Sequence, residues 1–224
     1  SVYWVGEVAR QRGRIDQAAA QFREYRRLAQ RMIDADAGEP RWQLEGVYAA
    51  SNLGIVELEQ ARYAEAARTF QASVDAMVAL TAAQPANREF QELQLEALAY
   101  DADALDGAGK IDLAIQQRER QLTLLAPFLA QPRQDADLRR HAMIANMALS
   151  HLRFRRGESK RALDHAAAAV DIGRQLVELE PASADWAGRS ANALLNQALL
   201  LLRTGNAAEA RNATDEGCSL ANRL

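Results

Sequence analysis

The chain has 224 residues, a formal net charge of −3 and one cysteine, Cys218. With 49% apolar and 25% charged residues it has globular composition, and its intermixed charges exclude the single-sign field that nucleic acid or an acidic partner selects. A lone cysteine excludes an internal disulfide, leaving cytosol and periplasm equally open, and no apolar run reaches the ~18 residues of a membrane span. The most apolar run, Ala198-Leu199-Leu200-Leu201-Leu202, reads as a buried helix turn.

Alanine, leucine, glutamine, arginine and glutamate dominate, which predicts helix throughout. A fixed period organises those helices. Ala18, Ala66, Ala114, Ala162 and Ala210 follow one another at 48-residue steps. Five residues upstream of them stand Gly13, Ala61, Gly109, Gly157 and Gly205, and twelve upstream stand Gly6, Gly54, Ala102, Ser150 and Ala198. Trp42, Phe90, Leu138 and Trp186 mark the starts of successive units. Such a period is the mark of stacked supersecondary repeats, here over about 1–38, 39–86, 87–134, 135–182 and 183–224 in one solenoid domain.

Each unit predicts two helices and a tight turn. Unit one opens at Ser1-Val2-Tyr3-Trp4, already inside its first helix. The last unit stops at Leu224 without the polar capping helix solenoids carry. The sequence therefore reads as a piece of a longer protein. In unit two the first helix runs from about Trp42 to Glu59, with Leu44, Val47, Tyr48, Leu53, Ile55, Val56 and Leu58 at helical spacing. A turn at Ala61-Arg62 leads into a second helix from about Tyr63 to Ala83. Gln84-Pro85-Ala86-Asn87 breaks it, as Glu39-Pro40, Gln131-Pro132 and Glu180-Pro181 punctuate the other units. The small residue twelve before each alanine predicts close helix approach, with the alanine as its mate and Phe22 and Phe70 filling space toward the next unit. Arg118, Ala166 and Thr214 replace those phenylalanines later. Trp4, Trp42 and Trp186 are expected to lock one unit onto the next.

These offsets resemble the tetratricopeptide repeat (TPR) family. Gly54 stands twelve before Ala66, Phe70 four after it, and Tyr63 (Ile15, Ile111 in other units) three before it. The common form has about 34 residues, so these units are a long 48-residue variant. Repeats with segments like Thr81-Ala82-Ala83-Gln84-Pro85-Ala86-Asn87 look similar to those following the kinase domain in some bacterial serine/threonine protein kinases and in other large bacterial signalling proteins. The resemblance implies an all-α, right-handed superhelical solenoid of about five antiparallel hairpins. It also implies a non-catalytic interaction or ligand-sensing module whose first helices line a concave groove for a protein or peptide. Carried over position by position, that groove holds Glu7, Arg10, Tyr48, Ser51, Ile55, Glu96, Asp103, Asp106, Met147, His151, Arg155, Asn192, Leu199 and Arg203. Arg10, Arg155, Arg203, Asn52 and Asn192 could clamp a peptide carboxylate, but Asp103 and Asp106 interrupt them. A partner of mixed charge fits such a row better.

No catalytic, metal or cofactor constellation emerges. His141, His151 and His165 lack ligand spacing, and adjacent Ser150-His151 cannot face one another on a helix. Gly107-Ala108-Gly109-Lys110 lacks the spacing and preceding strand of a phosphate loop. Asp101, Asp103 and Asp106 read as a solvated helix face. Arg153, Arg155 and Arg156, with Arg139 and Arg140, form the densest basic cluster, but a single interleaved aromatic, Phe154, argues against nucleic acid. Two other classes stay open. One is self-assembly as a homodimer through Leu199, Leu200, Leu202 and Leu220; the other is an enzyme built around His141 and His151.

Overall fold

The computed structural model describes residues 1–130 and 135–222. The predicted Gln131-Pro132 break and the end of the last unit at Leu224 lie outside these residues. The described residues form ten helices and no strand. The helices are α1 (Val2–Gln11), α2 (Ile15–Ala35), α3 (Pro40–Glu59), α4 (Tyr63–Ala83), α5 (Arg88–Gly107), α6 (Ile111–Leu129), α7 (Ala136–Arg155), α8 (Ser159–Leu179), α9 (Ala184–Arg203) and α10 (Ala207–Ala221). The second helices of the hairpins, α2, α4, α6, α8 and α10, begin at 48-residue intervals, as do the first helices α3, α5, α7 and α9.

Local chemistry fixes these ends. The side chains of Glu39, Asn87, Asp135 and Ser183, one per repeat, accept a hydrogen bond from a backbone N–H in the first turn of α3, α5, α7 and α9. That satisfies donors a helix start otherwise leaves unpaired. Pro40 is the first residue of α3, where its missing N–H costs nothing. At the other end each first helix closes through a residue of positive φ: Gly13, Ala61, Gly109, Gly157 and Gly205. The next residue's N–H reaches back five positions, as from Arg62 to the Glu57 carbonyl at 2.8 Å. Ala61, at φ 56°, holds this conformation without glycine's freedom.

The chain forms two compact units, Ser1–Gln117 and Arg118 onward, dividing within α6. In the first, α1 to α4 and α5 pack in sequence order, each on the next. Its core is aromatic: Phe22 and Phe70 are fully buried, Phe22 clustering with Ala18, Leu53 and Val56. Phe70 stacks on Tyr100 of α5, centroids 5.3 Å apart, which is the predicted reach toward the next repeat. The predicted mating of Gly54 with Ala66 needs correction. A Cβ on Gly54 would lie 2.6 Å from the Phe70 ring, and one on Gly6 would lie 2.8 Å from the Phe22 ring. The nearest atoms to the glycine are those of the aromatic sixteen residues on, so the glycine makes room for that ring.

In the second unit α7 packs on α8, α8 on α9 and α9 on α10. Here Ser150 and Ala166 occupy the Gly54 and Phe70 positions, and polar side chains link the helices. Asn196 donates to the Ser150 hydroxyl at 2.9 Å, and that hydroxyl donates to the Met147 carbonyl at 2.6 Å. Trp186 is buried among Met143, Ala169 and Val170, a locking role as expected, and Trp42 is half-buried. Trp4 departs from that expectation. It is 63% exposed, edge-on to Tyr3.

Candidate functional site

The first-helix face of the first unit carries the best-defined site. A hollow of about 270 Å³ is lined by Tyr3 of α1, Tyr25 of α2, and Tyr48 and Asn52 of α3. Tyr3 meets Tyr25 edge-on at 6.2 Å and Phe22 at 6.4 Å, so the buried phenylalanine positions the tyrosine floor. Carboxylates ring it. Tyr25 donates to Glu45 at 2.5 Å and Tyr48 to Glu89 of α5 at 2.9 Å. Burial, then those carboxylates, push the Tyr25 phenol well up and the Tyr48 phenol up to about 12. Both hydroxyls therefore stay protonated donors. Asn52 donates to the Tyr48 carbonyl at 2.7 Å, one helical turn back.

Tyr48 and Asn52 were legible from repeat position. Tyr3, Tyr25 and Glu45 were missed, because Tyr25 belongs to a second helix and reaches this face only through packing of α2 on α3. The other expected residues scatter in their behaviour. Arg10 is not a free clamp cation: it donates to both Glu7 oxygens at 3.0 Å and to Glu59 of α3 at 2.9 Å. Those bonds raise the Arg10 pKa, and the Arg10 guanidinium holds the Glu7 carboxyl below its ordinary range. Ser51 is half-buried on α3. Glu96 and Asp103 are exposed on α5, while Asp106 is half-buried; after burial, Glu96 and Asp103 raise the pKa of the Tyr100 phenol.

In the second unit His151, Arg155, Asn192 and Arg203 are all exposed, on α7 and α9. Arg203 lies over the Phe154 ring, 5.7 Å from its centroid. Beside them, Leu195, Leu199 and Leu202 recur at i, i+4 and i+7 on α9, 45%, 43% and 57% exposed. Leu200 and Leu220, expected on the same surface, are buried instead, Leu220 in a core cluster with Leu194 and Ala198 of α9.

Three further expectations change. Asp101 is not on a solvated face: it is 1% exposed, with one oxygen accepting from Gln117 at 2.7 Å and the other unpartnered. Burial pushes its carboxyl up to about 6. The basic cluster is neutralised from within: Arg153 is buried between Glu119 and Glu158, and Arg156 lies 3.3 Å from Glu158. His141 and His151 sit ten residues apart on α7, about 15 Å along a helix axis, so they do not share a pocket. His165 contacts the Asn146 side-chain oxygen at 2.9 Å, and burial, then Arg153, lower its pKa. The Gly107–Lys110 stretch is a helix-hairpin turn as expected, with Gly107 seated where a Cβ would strike the Tyr63 ring.

No helix among the described residues is long and apolar enough to cross a membrane. Nor does any group of three or more potential metal ligands occur among them. No protein-family model matches the sequence, and no curated protein matches it. Solved structures do. BtubC (BKLC) from P. vanneervenii is 15% identical over 94% of this chain and 74% of its own, with a TM-score of 0.69. The nearly identical TPR-like repeats of a putative kinesin light chain from Podosopora anserina are 13% identical over 98% of this chain and 92% of theirs, TM-score 0.71. Apo RapI is 12% identical over all of this chain and 53% of its own length, TM-score 0.74. The fold is TPR-like. At such identities the likeness is one of helix-hairpin architecture.

Proposed function

We propose that the chain is a non-catalytic protein-interaction module that takes a basic side chain of a partner peptide into the tyrosine hollow of its first unit. The observation that carries this reading is three tyrosine rings around one hollow, with the Glu45 and Glu89 carboxylates bonded to two of them. Aromatic faces and carboxylates together attract a guanidinium or ammonium group by cation–π and ionic terms, worth about 1–2 kcal/mol at a partly desolvated site. Glu96, Asp103 and Asp106 of α5 would extend that preference within the same unit. We further propose, from the long-repeat resemblance, that the module serves in a bacterial signalling protein, such as the region after a serine/threonine kinase domain. Calorimetry with an arginine-containing peptide and its citrulline counterpart tests the site. Binding that needs the charge and falls at least fivefold in Tyr48→Ala supports it; equal binding of both peptides ends it.

Self-assembly is the second reading, and the exposed Leu195, Leu199 and Leu202 stripe favours it. Concentration-dependent light scattering that Leu199→Glu abolishes is its expected signature. A concentration-independent monomer removes it.

A further inference from the structure

We propose a second binding surface on the opposite, second-helix side of the first unit: the cleft between α2 and α4, over α3, receives a side-chain carboxylate of an acidic partner peptide. The cleft holds about 260 Å³. Its floor is small, with Gly46 and Ala50 from α3 and Ala72 and Ala76 from α4, and Arg26 and Gln30 of α2 flank it. Ser73 also lines it. That residue is 1% exposed, and its hydroxyl oxygen has no hydrogen-bond partner. A buried hydroxyl left unpaired costs about 1–3 kcal/mol.

The second unit shows what such a cleft takes. Its counterpart at the same repeat position lies between α8 and α10, over α9, where Arg174, Val177, Ser190, Glu216 and Leu220 replace Gln30, Ile33, Gly46, Ala72 and Ala76. There a carboxylate of the chain itself fills the role. Glu216 accepts from Arg174 at 2.8 and 2.7 Å. The buried Ser190 hydroxyl at that cleft is likewise unpaired. In the first unit Ala72 stands where Glu216 stands in the second, so the chain supplies no acid. The cations remain. Arg23, Arg26 and Arg31 have no carboxylate partner within 4.0 Å among the described residues, and Gln30 turns to Asp34 of its own helix at 2.8 Å.

An adjoining hollow of about 640 Å³ shares Arg26 and Gln30 with the cleft and adds Arg23, Arg27 and Arg31. Of its two acids, Asp34 accepts from Gln30, and Glu57 is buried and accepts from Thr69 at 2.8 Å. Arg27 is already held by Glu24 at 2.8 and 2.7 Å, which leaves Arg23, Arg26 and Arg31. Three such guanidinium groups around two adjoining hollows suit several carboxylates on one strand of peptide better than a single small acid.

Titration calorimetry on the whole chain tests this with a twelve-residue Glu-Ala repeat peptide, its Gln-Ala counterpart, and glutarate. The expected result is one acidic peptide bound per chain, with the Gln-Ala peptide and glutarate each at least tenfold weaker. Ala72→Glu installs the second unit's carboxylate and Arg26→Gln removes the cation. Both sites are exposed, circular dichroism checks the fold, and each variant weakens binding at least tenfold. Glu216→Ala vacates the second cleft and raises the stoichiometry toward two. Tyr48→Ala leaves acidic-peptide binding unchanged, which separates this surface from the tyrosine hollow. Wild-type affinity in both Ala72→Glu and Arg26→Gln overturns the proposal, and glutarate binding as tightly as the peptide overturns the peptide as occupant.

Discussion

The two compact units solve one packing problem in opposite ways. Where a first helix crosses its partner, the first unit sets glycine against phenylalanine, Gly6 under Phe22 and Gly54 under Phe70. At the same repeat position the second unit has Ser150 with Ala166 and Ala198 with Thr214. There Asn196 donates to Ser150, His165 contacts Asn146, and buried Arg153 pairs with Glu119 and Glu158. Apolar area stabilises the first arrangement in proportion to what is buried. Hydrogen bonds stabilise the second only modestly, but leave a large penalty if one partner is lost. A repeat therefore fixes where helices cross without fixing which force holds the crossing.

The sharpest way to break this contrast is Phe70→Ala, expected to cost about 4 kcal/mol from lost burial and a residual cavity. A chemical-denaturation midpoint measures it, and a loss under 1 kcal/mol would mean the interlock is not what holds the first unit. Asp101 is a buried carboxyl in that unit. Its folded pKa is raised to about 6, so the folded state binds the proton more tightly than the unfolded chain. The stabilisation is present where the group is protonated and is lost as pH rises from about 4 to 6. Asp101→Asn should then gain about 2 kcal/mol at pH 7. It should also remove that part of the pH dependence, which melts at pH 4.5 and 7 compare directly.

In the second unit Ser150→Ala should cost about 1–2 kcal/mol, since the Asn196 amide is left buried and unpaired. Should it match Phe70→Ala, the polar links carry equal weight and the contrast fails. The smallest change sharpens what the units share. Ala61→Gly should stabilise the first unit by about 0.5–1 kcal/mol by relieving positive φ, while Gly157→Ala in the second should cost about 1 kcal/mol. Opposite signs in thermal melts are the expected outcome.

Most of the fold lay in the open along the chain. The second helix of unit two was readable to its ends, Tyr63 and Ala83, because the positive-φ turn at Ala61 and the following Pro85 act within a few residues of themselves. The site was half-hidden. Tyr48 and Asn52 follow from repeat position, but Tyr25 and Glu45 do not, nor does the neutralising of Arg10 by Glu59 from another helix.

The sequence by itself determined the period, the helix ends and the hairpin turns, since these rest on local hydrogen bonds and backbone sterics. Only the tertiary structure decided that Asp101 is buried, that Trp4 and Leu202 face outward, and that the Ser73 hydroxyl goes unpaired beside Arg26. Those outcomes depend on how helices distant in sequence lie across one another. A one-dimensional repeat sets the spacing of side chains but not the neighbours they meet.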